Sequence, residues 1–210
     1  MIYICAYRDW ALGIYNQIKE INCKLINSRD QLNNIKFNND DIIFFIGWSW
    51  MVKDYIINNN RCICLHPSPL PKYRGGSPIQ HQIINGEKDS AVTFFIMNDK
   101  LDAGEILYQE KFSLEGELSD IFNRIISIGS KGLITLLHTE VKPIKQDESK
   151  ATYYKRRKPE ESEITIDEIK NKPTEYLYNK IRMLNDPYPN AYIKDKNGNK
   201  LYITKTKYND

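Results

Sequence analysis

The sequence predicts an α/β fold: a Rossmann-like open sheet with flanking helices, followed by a short C-terminal helix and a β-hairpin. Two observations predict the sheet. Short apolar runs bounded by turn-forming residues recur along the chain, as buried strands do, and segments with helical apolar spacing lie between several of them. The run 42–46 is apolar at every position, which is typical of a central parallel strand buried on both faces.

The N-terminal part of the chain predicts a β-α-β beginning. Leu12, Ile14, Tyr15 and Ile18 recur at helix-like spacing between two apolar runs. The elements predicted up to residue 65 are a strand at 2–6, a helix at 10–21, strands at 24–26 and 42–46, a helix at 52–59 and a strand at 62–65.

The remaining chain predicts two more strands, three helices and a hairpin whose Asn197-Gly198 pair favours a tight turn. We expect a catalytic domain at 1–150 and a C-terminal extension at 151–210, packed on the core or in a dimer interface. The predicted elements are a helix at 77–84, strands at 92–97 and 105–108, helices at 118–139 and 174–185, and a hairpin within 191–205.

Composition narrows the class of protein. A chain of 210 residues with 41% hydrophobic residues can bury the core of one main domain, and a net charge of +3 predicts no large nucleic-acid or membrane-binding surface. No apolar run approaches the roughly 20 residues that span a bilayer. Four cysteines without a leader-like start favour a cytoplasmic protein with free thiols. Cys62 and Cys64 have no second ligand pair, so no metal site is expected.

One histidine and one carboxylate follow two of the apolar runs. His66 comes directly after the run 62–65, and Asp102 comes shortly after the run 92–97. Because an open α/β sheet presents its chemistry at strand ends, we expect the two side chains to meet there. An imidazole held by a carboxylate suits general acid/base catalysis. No Gly-x-Gly-x-x-Gly follows a strand, so no dinucleotide cofactor is expected.

The motif at 66–75 is HPSPLPKYRG, and the motif at 101–104 is LDAG. Together they resemble the active-site signature of the folate-dependent formyltransferases, which transfer a formyl group from N10-formyltetrahydrofolate to a primary amine. The resemblance implies the formyltransferase fold, N10-formyltetrahydrofolate as co-substrate and no metal. It also implies that His66 transfers protons and stabilises the oxyanion, and that Asp102 orients His66.

Position 64 departs from the family pattern. The family usually has an Asn there, whose amide helps to hold the oxyanion, whereas this chain has Cys64. A thiol is a poor hydrogen-bond donor, and loss of one oxyanion donor typically costs about 2.7–4 kcal/mol of transition-state stabilisation. Cys64 is therefore kept among the candidate catalytic residues. The departure leaves open a catalytically silent protein that binds folate or a nucleotide sugar.

The resemblance places the folate pocket between the loop after the strand at 42–46 and the loop that leads to Asp102. Two glycines after Arg74 lie nearby in the motif. The candidate folate-binding residues are Trp48, Ser49, Trp50, Gly75, Gly76, Asn98, Asp99, Lys100, Leu101 and Asp102.

The acceptor expected from the resemblance is a nucleotide-linked aminosugar, with dTDP-4-amino-4,6-dideoxyglucose as the first choice. Its product would serve surface polysaccharide biosynthesis, such as O-antigen or lipopolysaccharide. Basic side chains can pair with a pyrophosphate, and aromatic rings can stack on a base. The candidate acceptor-binding residues are Ser77, Gln80, Tyr153, Tyr154, Arg156, Arg157 and Tyr192.

Glycinamide ribonucleotide and methionyl-tRNA stay open as alternative acceptors. A tRNA is disfavoured because the methionyl-tRNA members of the family carry a further basic C-terminal domain, whereas this chain is barely basic. We therefore expect a small-molecule acceptor and no nucleic-acid or membrane partner. The predicted hairpin is expected to pair in a homodimer or to fold back on its own domain.

Overall fold

The structure, a computed structural model, describes residues 1–208. Its strands are β1 Ile2–Cys5, β2 Cys23–Ile26, β3 Ile42–Ile46, β4 Arg61–His66, β5 Arg74–Gly75, β6 Asp89–Ile96, β7 Ile106–Ser113, β8 Tyr153–Tyr154, β9 Ala191–Lys194 and β10 Lys200–Ile203. Its α-helices are α1 Asp9–Ile18, α2 Arg29–Asn34, α3 Asp54–Asn59, α4 Pro78–Ile84, α5 Leu118–His138, α6 Ile166–Asn171 and α7 Thr174–Arg182.

Six strands form the central sheet in the order β2-β1-β3-β4-β6-β7. The first four pair in parallel. β6 runs antiparallel to β4, and β7 runs antiparallel to β6. The predicted α/β class, with an open central sheet between helices, is confirmed, and the predicted strand at 42–46 has the observed bounds.

Apolar side chains cover both faces of the sheet. On one face α1 and α5 pack against a core that includes Phe44, Ile63 and Phe94. A Cβ atom on Gly132 of α5 would lie 2.8 Å from the Phe94 ring, so this glycine lets the helix approach the sheet closely. The opposite face buries a second cluster that includes Phe45. Both faces are therefore apolar, as the pattern of β3 predicts.

The structure contains short helices that the sequence analysis missed. α2 lies in a polar stretch, where Ser28 Oγ accepts a hydrogen bond from the Gln31 N–H at the helix start and Leu32 is its buried side chain. α6 begins at a capping box formed by Thr165 and Glu168. Helices of six residues are too short to show an apolar period, so their capping residues are the only local signal.

Several boundaries differ from the prediction by three residues or more. The helix expected at 10–21 ends at Ile18, and the strand expected at 92–97 begins at Asp89. The strand expected at 105–108 continues to Ser113, because β6 begins at Asp89 and pairs with β7 along that whole length. The helix expected at 174–185 ends at Arg182. Strand β7 is longer than predicted because its tertiary partner β6 is longer, which a local pattern cannot indicate.

The C-terminal part of the described chain contacts the preceding part through both a strand and a helix. β8 pairs in parallel with β5, and α7 packs against α4. β9 and β10 form the predicted hairpin. The domain boundary at 150 and the dimer interface stay predictions.

No helix within residues 1–208 is long and apolar enough to cross a membrane. The same residues contain no cluster of three or more His, Cys, Asp or Glu side chains that could hold a metal ion.

Candidate active site

His66 is the last residue of β4, and its side chain is 8% exposed. Its Nε2 atom lies 2.8 Å from the carbonyl oxygen of Tyr73. A carbonyl oxygen can only accept, so the ring donates from Nε2, which carries the proton of the neutral imidazole. Nδ1 is therefore the nitrogen that can take up a proton.

Asp102 faces that nitrogen. Its Oδ2 atom lies 3.6 Å from Nδ1 of His66 and accepts a hydrogen bond of 2.7 Å from the backbone N–H of Gly75. The carboxylate is thus held by a fixed donor while it lies close to the position where positive charge would develop. This geometry suits stabilisation of an imidazolium during proton transfer.

The structure brings these two groups together by a route that differs from the expected one. Because β6 is antiparallel to β4, Ile96 at its carboxyl end pairs with Ile63, away from His66. The chain then returns through a turn that ends at Gly104 and carries Asp102 back towards His66. A Cβ atom on Gly104 would lie 1.6 Å from the Ile96 carbonyl oxygen, so the tight return requires glycine.

Backbone strain is concentrated around the pair. Among residues 1–208, the non-glycine residues with positive φ are Tyr73 at 60°, Ser77 at 53° and Asp102 at 51°. All three belong to the two motifs or to the helix start that follows them. Strained backbone persists only where surrounding contacts fix it, and it is common at functional sites.

Cys64 lies two residues before His66, on the same face of β4. Burial, together with the Asp102 carboxylate, raises the pKa of its thiol well above the usual value. Cys64 is consequently a protonated thiol at neutral pH, and Sγ lies 3.7 Å from the carbonyl oxygen of Leu65. Such a group is neither an activated nucleophile nor a strong oxyanion donor.

Two of the candidate folate-binding residues, Trp48 and Trp50, form an aromatic cluster with Tyr7. Trp50 stacks on Tyr7 at 4.2 Å between ring centroids, and Trp48 packs edge-on against Trp50 at 4.8 Å. The Tyr7 hydroxyl is hydrogen-bonded to Ser49 Oγ. Trp48 Nε1 is buried and has no hydrogen-bond partner among the residues that the structure describes. The cluster directly follows β3, the strand next to β4.

Gly75 and Gly76 pack closely against the backbone of Tyr154 and Arg156. A Cβ atom on Gly75 would lie 2.3 Å from the Tyr154 carbonyl oxygen, and one on Gly76 would lie 2.4 Å from Cα of Arg156. These glycines let the segment after β8 approach the motif. They contribute to the site through the Gly75 N–H that binds Asp102.

The remaining candidate folate-binding residues lie in the turn before Asp102. Asn98, Asp99, Lys100 and Leu101 are exposed, and Asn98 Oδ1 accepts a hydrogen bond from the Lys100 N–H. Their position keeps them open to a ligand.

Several candidate acceptor-binding residues are joined to the motif. Ser77 Oγ accepts a hydrogen bond from the Arg157 N–H at 3.1 Å. Tyr154 stacks on Tyr73 at 4.9 Å. Arg156 follows at the Gly76 contact, and its side chain is exposed. The basic segment 155–158 therefore lies beside the motif, although 80 positions separate Ser77 from Arg157.

The other three candidates have internal partners. Gln80 is buried and forms a side-chain hydrogen bond with Tyr188. Tyr153 lies over the guanidinium of Arg74. Tyr192 is 3% exposed, with Lys200 Nζ 4.2 Å from its ring centroid, and its carbonyl oxygen accepts a hydrogen bond of 2.7 Å from the Ile164 N–H.

Sequence reasoning missed residues that build this site. Tyr7 belongs to the aromatic cluster, Arg74 is fully buried behind the motif, and Gln146 donates to the backbone of Asp102. Arg74 lies within the motif at 66–75, which is the signal that could have found it. Gln146 is 44 positions from Asp102, and no local pattern connects them.

A histidine whose free nitrogen faces a carboxylate, at the end of a central strand of an α/β sheet, is an arrangement suited to general acid/base catalysis. Comparison with known proteins gives the family. A family model described as "Formyl transferase" matches residues 19–137, more than half of the chain. The chain belongs to the formyl transferase family.

Curated relatives agree with this assignment. A protein of Pediococcus pentosaceus named methionyl-tRNA formyltransferase is 31% identical over 207 residues, which cover 95% of this chain and 63% of that protein. One of Campylobacter lari with the same name is 38% identical over 147 residues, which cover 69% of this chain and 48% of that protein. This chain thus spans less than two thirds of the length of these relatives.

Solved structures give the same fold. The methionyl-tRNA formyltransferase of Clostridium thermocellum has a TM-score of 0.82 and 31% identity, with 96% of each chain covered. A 4-N formyltransferase of Francisella tularensis has a TM-score of 0.73 and 20% identity, covering all of this chain and 98% of that chain. At such low identity the second likeness shows the fold alone.

The expected aminosugar acceptor, with its dTDP and polysaccharide associations, is wrong. The relatives at 31–39% identity carry the name methionyl-tRNA formyltransferase, so the alternative acceptor is the better supported one. The expectation of no nucleic-acid partner is contradicted by the same relatives. The prediction relied on the net charge and on the C-terminal domain of the methionyl-tRNA members. Net charge averages the whole chain, so it does not reveal a local basic segment such as 155–158.

Proposed function

We propose that this protein transfers a formyl group from N10-formyltetrahydrofolate to the amino group of methionyl-tRNA. The observation that carries the proposal is the identity of 31–39% with relatives of that name, together with a His66–Asp102 pair in the family's motifs. Tetrahydrofolic acid is named with one fold neighbour, HypX of Aquifex aeolicus, at 17% identity. That neighbour supports the choice of one-carbon carrier at the level of the fold.

His66 is the proposed proton carrier. As the amine nitrogen bonds to the formyl carbon, Nδ1 accepts the proton that the amine loses. The bond between the formyl carbon and N10 then breaks, and the imidazolium returns the proton to N10. Asp102, 3.6 Å from Nδ1, stabilises the imidazolium between these two steps.

The aromatic cluster of Tyr7, Trp48 and Trp50 is the proposed platform for the folate ring system. It lies at the end of β3, next to β4, and aromatic faces suit a flat heterocycle. The unpartnered Trp48 Nε1 fits a ligand acceptor atom there. The exposed turn at 98–101 is the proposed opposite wall.

The basic segment 155–158 is the proposed contact for the tRNA backbone. Three of its side chains, Lys155, Arg156 and Lys158, are exposed, and its backbone packs against Gly76. Lysine and arginine contacts to phosphates supply affinity that weakens as salt increases. We expect the KM for tRNA, rather than the KM for the folate, to depend on this segment.

The test is formyl transfer by the purified protein from N10-formyltetrahydrofolate to methionyl-tRNA, followed by mass spectrometry of the released amino acid. We expect formylmethionine with wild type and none with His66→Asn. A dTDP-linked 4-amino sugar and glycinamide ribonucleotide serve as competing acceptors. A product from either one, with none from methionyl-tRNA, would overturn the proposal, and folate binding without any turnover would support a silent binding protein.

The tRNA contact has its own test. The double variant Lys155→Ala/Lys158→Ala is expected to raise the KM for methionyl-tRNA and to flatten its dependence on salt by about two phosphate contacts. Lys19→Ala/Lys36→Ala, which removes two charges from exposed lysines outside this segment, is the matched control. Equal effects of both changes would show that only net charge matters.

A further inference from the structure

Gln146 connects the strained turn at Asp102 to a buried arginine. Its Nε2 atom donates hydrogen bonds to the carbonyl oxygens of Asp102, at 2.9 Å, and Gly104, at 2.7 Å. Its Oε1 atom accepts from Nε and Nη2 of Arg74, at 3.1 and 2.7 Å. The Gln146 amide therefore bonds to the Asp102 turn through its nitrogen and to Arg74 through its oxygen.

Arg74 fixes the orientation of this amide. A guanidinium can only donate, so the oxygen of Gln146 must face Arg74 and the NH2 group must face the two carbonyls. Arg74 itself is fully buried and makes paired hydrogen bonds of 2.8 and 2.9 Å to the carboxylate of Glu148, with a further bond to the Tyr153 hydroxyl. Bidentate pairing of this kind holds a guanidinium in one geometry.

The two carbonyls belong to the turn that carries the catalytic carboxylate. Asp102 has a φ of 51°, an unfavourable region for a residue with a side chain. Its carbonyl is held by Gln146, and its carboxylate is held by the Gly75 N–H. Gly75, which holds the carboxylate, and Arg74, which holds Gln146, are the two residues of strand β5. Both hydrogen-bonding anchors of Asp102 therefore depend on this strand.

We propose that Gln146, oriented by Arg74, is a positioning residue that holds Asp102 against His66. Removal of its two donors frees the backbone of the turn, and the carboxylate then leaves both the Gly75 N–H and Nδ1 of His66. This inference rests on the proposed function for its kinetic consequence only. The position of the carboxylate can be measured without any substrate.

Gln146→Glu tests the proposal because it separates the two ends of the side chain. A carboxylate still accepts from Arg74 but cannot donate to the carbonyls of Asp102 and Gly104. We expect kcat for formyl transfer to fall about tenfold, through misplacement of a catalytic group, with KM changed less than about threefold. In an Asp102→Asn background, Gln146→Glu should have no further effect on kcat, whereas a merely structural role would multiply the two losses.

The amide resonance of Gly75 is the readout that needs no activity. A bond of 2.7 Å to a carboxylate shifts this proton downfield and protects it from exchange. We expect both signs to weaken in Gln146→Glu and in Asp102→Asn. Gln109→Glu is the matched control, because Gln109 also donates to a loop carbonyl, that of Leu70, but does not touch Asp102. The control should leave the Gly75 resonance in place.

The outcomes separate the two proposals. If wild type does not formylate methionyl-tRNA while Gln146→Glu still releases the Gly75 amide, the proposed function fails and the positioning role stands. If the Gly75 resonance is unchanged in Gln146→Glu, or if the effects of Gln146→Glu and Asp102→Asn on kcat multiply, the positioning role is overturned.

Discussion

His66 and Asp102 meet at one point but are held there by two different kinds of surroundings. His66 ends a strand that is paired on both sides, and its position follows from the register of β4 with β3 and β6. Asp102 lies in a turn outside the sheet, held by hydrogen bonds from Gly75 and Gln146. The imidazole of His66 is thus positioned by the apolar core, and the carboxylate of Asp102 is positioned by a small polar network.

The difference predicts which property is lost when the surroundings of His66 or those of Asp102 are changed. A change in the core reduces stability while the chemistry of the folded fraction persists, because the strand keeps its register or unfolds. A change in the turn reduces turnover while the core stays folded, because the three hydrogen bonds from Gly75 and Gln146 hold the turn without contributing to the core. The variants below separate these two modes.

The largest expected effect is on the core that supports His66. Phe94 on β6 is fully buried and packs against Phe44 and Tyr108. Phe94→Ala should lower the free energy of unfolding by about 3–5 kcal/mol, measured by urea denaturation. Ile169→Ala, at an exposed site on α6, should change it by less than about 0.5 kcal/mol. A small loss at Phe94 would mean that the core does not set the register.

Removal of either member of the pair should affect the rate. His66→Asn and Asp102→Ala are each expected to lower kcat for formyl transfer at least about 100-fold, since proton transfer by a positioned group contributes that much. Circular dichroism should show an intact fold for both variants. Near-normal rates in both would refute the assigned roles.

The two surroundings also explain what the sequence could predict. The strand that ends at His66 shows as an apolar run, and the run 42–46 marks its neighbour, because buried strands carry a local signature. The resemblance of the motif at 101–104 to the family signature identified Asp102 as the partner of His66. The antiparallel direction of β6 has no local signature, so the turn at 97–105 and its return towards His66 could not be derived.

Other parts of the site were beyond local patterns for the same reason. Gln146 acts through contacts with Arg74 and Asp102, at separations of 72 and 44 positions. Tyr192 stays a prediction as a binding residue: it was proposed as an aromatic ring in a hairpin, and the structure buries its side chain. Contacts between residues so far apart in the sequence depend on tertiary structure. Amino-acid composition and hydrophobic periodicity do not reveal them.

The turn itself can be tested by adding one carbon atom. Gly104→Ala places a Cβ against the Ile96 carbonyl oxygen, so the backbone around Asp102 must move. We expect kcat to fall about 10- to 100-fold while most of the folding stability remains. Gly86→Ala is the control: its φ of 79° is also unfavourable for alanine, but no atom lies within 4 Å of the added carbon. The control should lose about 1–2 kcal/mol of stability and keep its rate.

The smallest expected effect is at Cys64, which lies in β4, the strand that positions His66, and is close to the carboxylate of Asp102. Burial and the nearby Asp102 keep the pKa of its thiol well above the usual value, so almost no thiolate exists at pH 7 to 8. Cys64→Ala should therefore change kcat by less than about threefold, because a neutral thiol is a weak donor. Iodoacetamide should also modify Cys64 slowly in the folded protein, which peptide mapping after timed labelling would measure. A large loss of rate in Cys64→Ala, or rapid labelling that stops turnover, would instead show that the thiol takes part in the reaction. Strand β4 would then contribute a reacting group in addition to positioning His66.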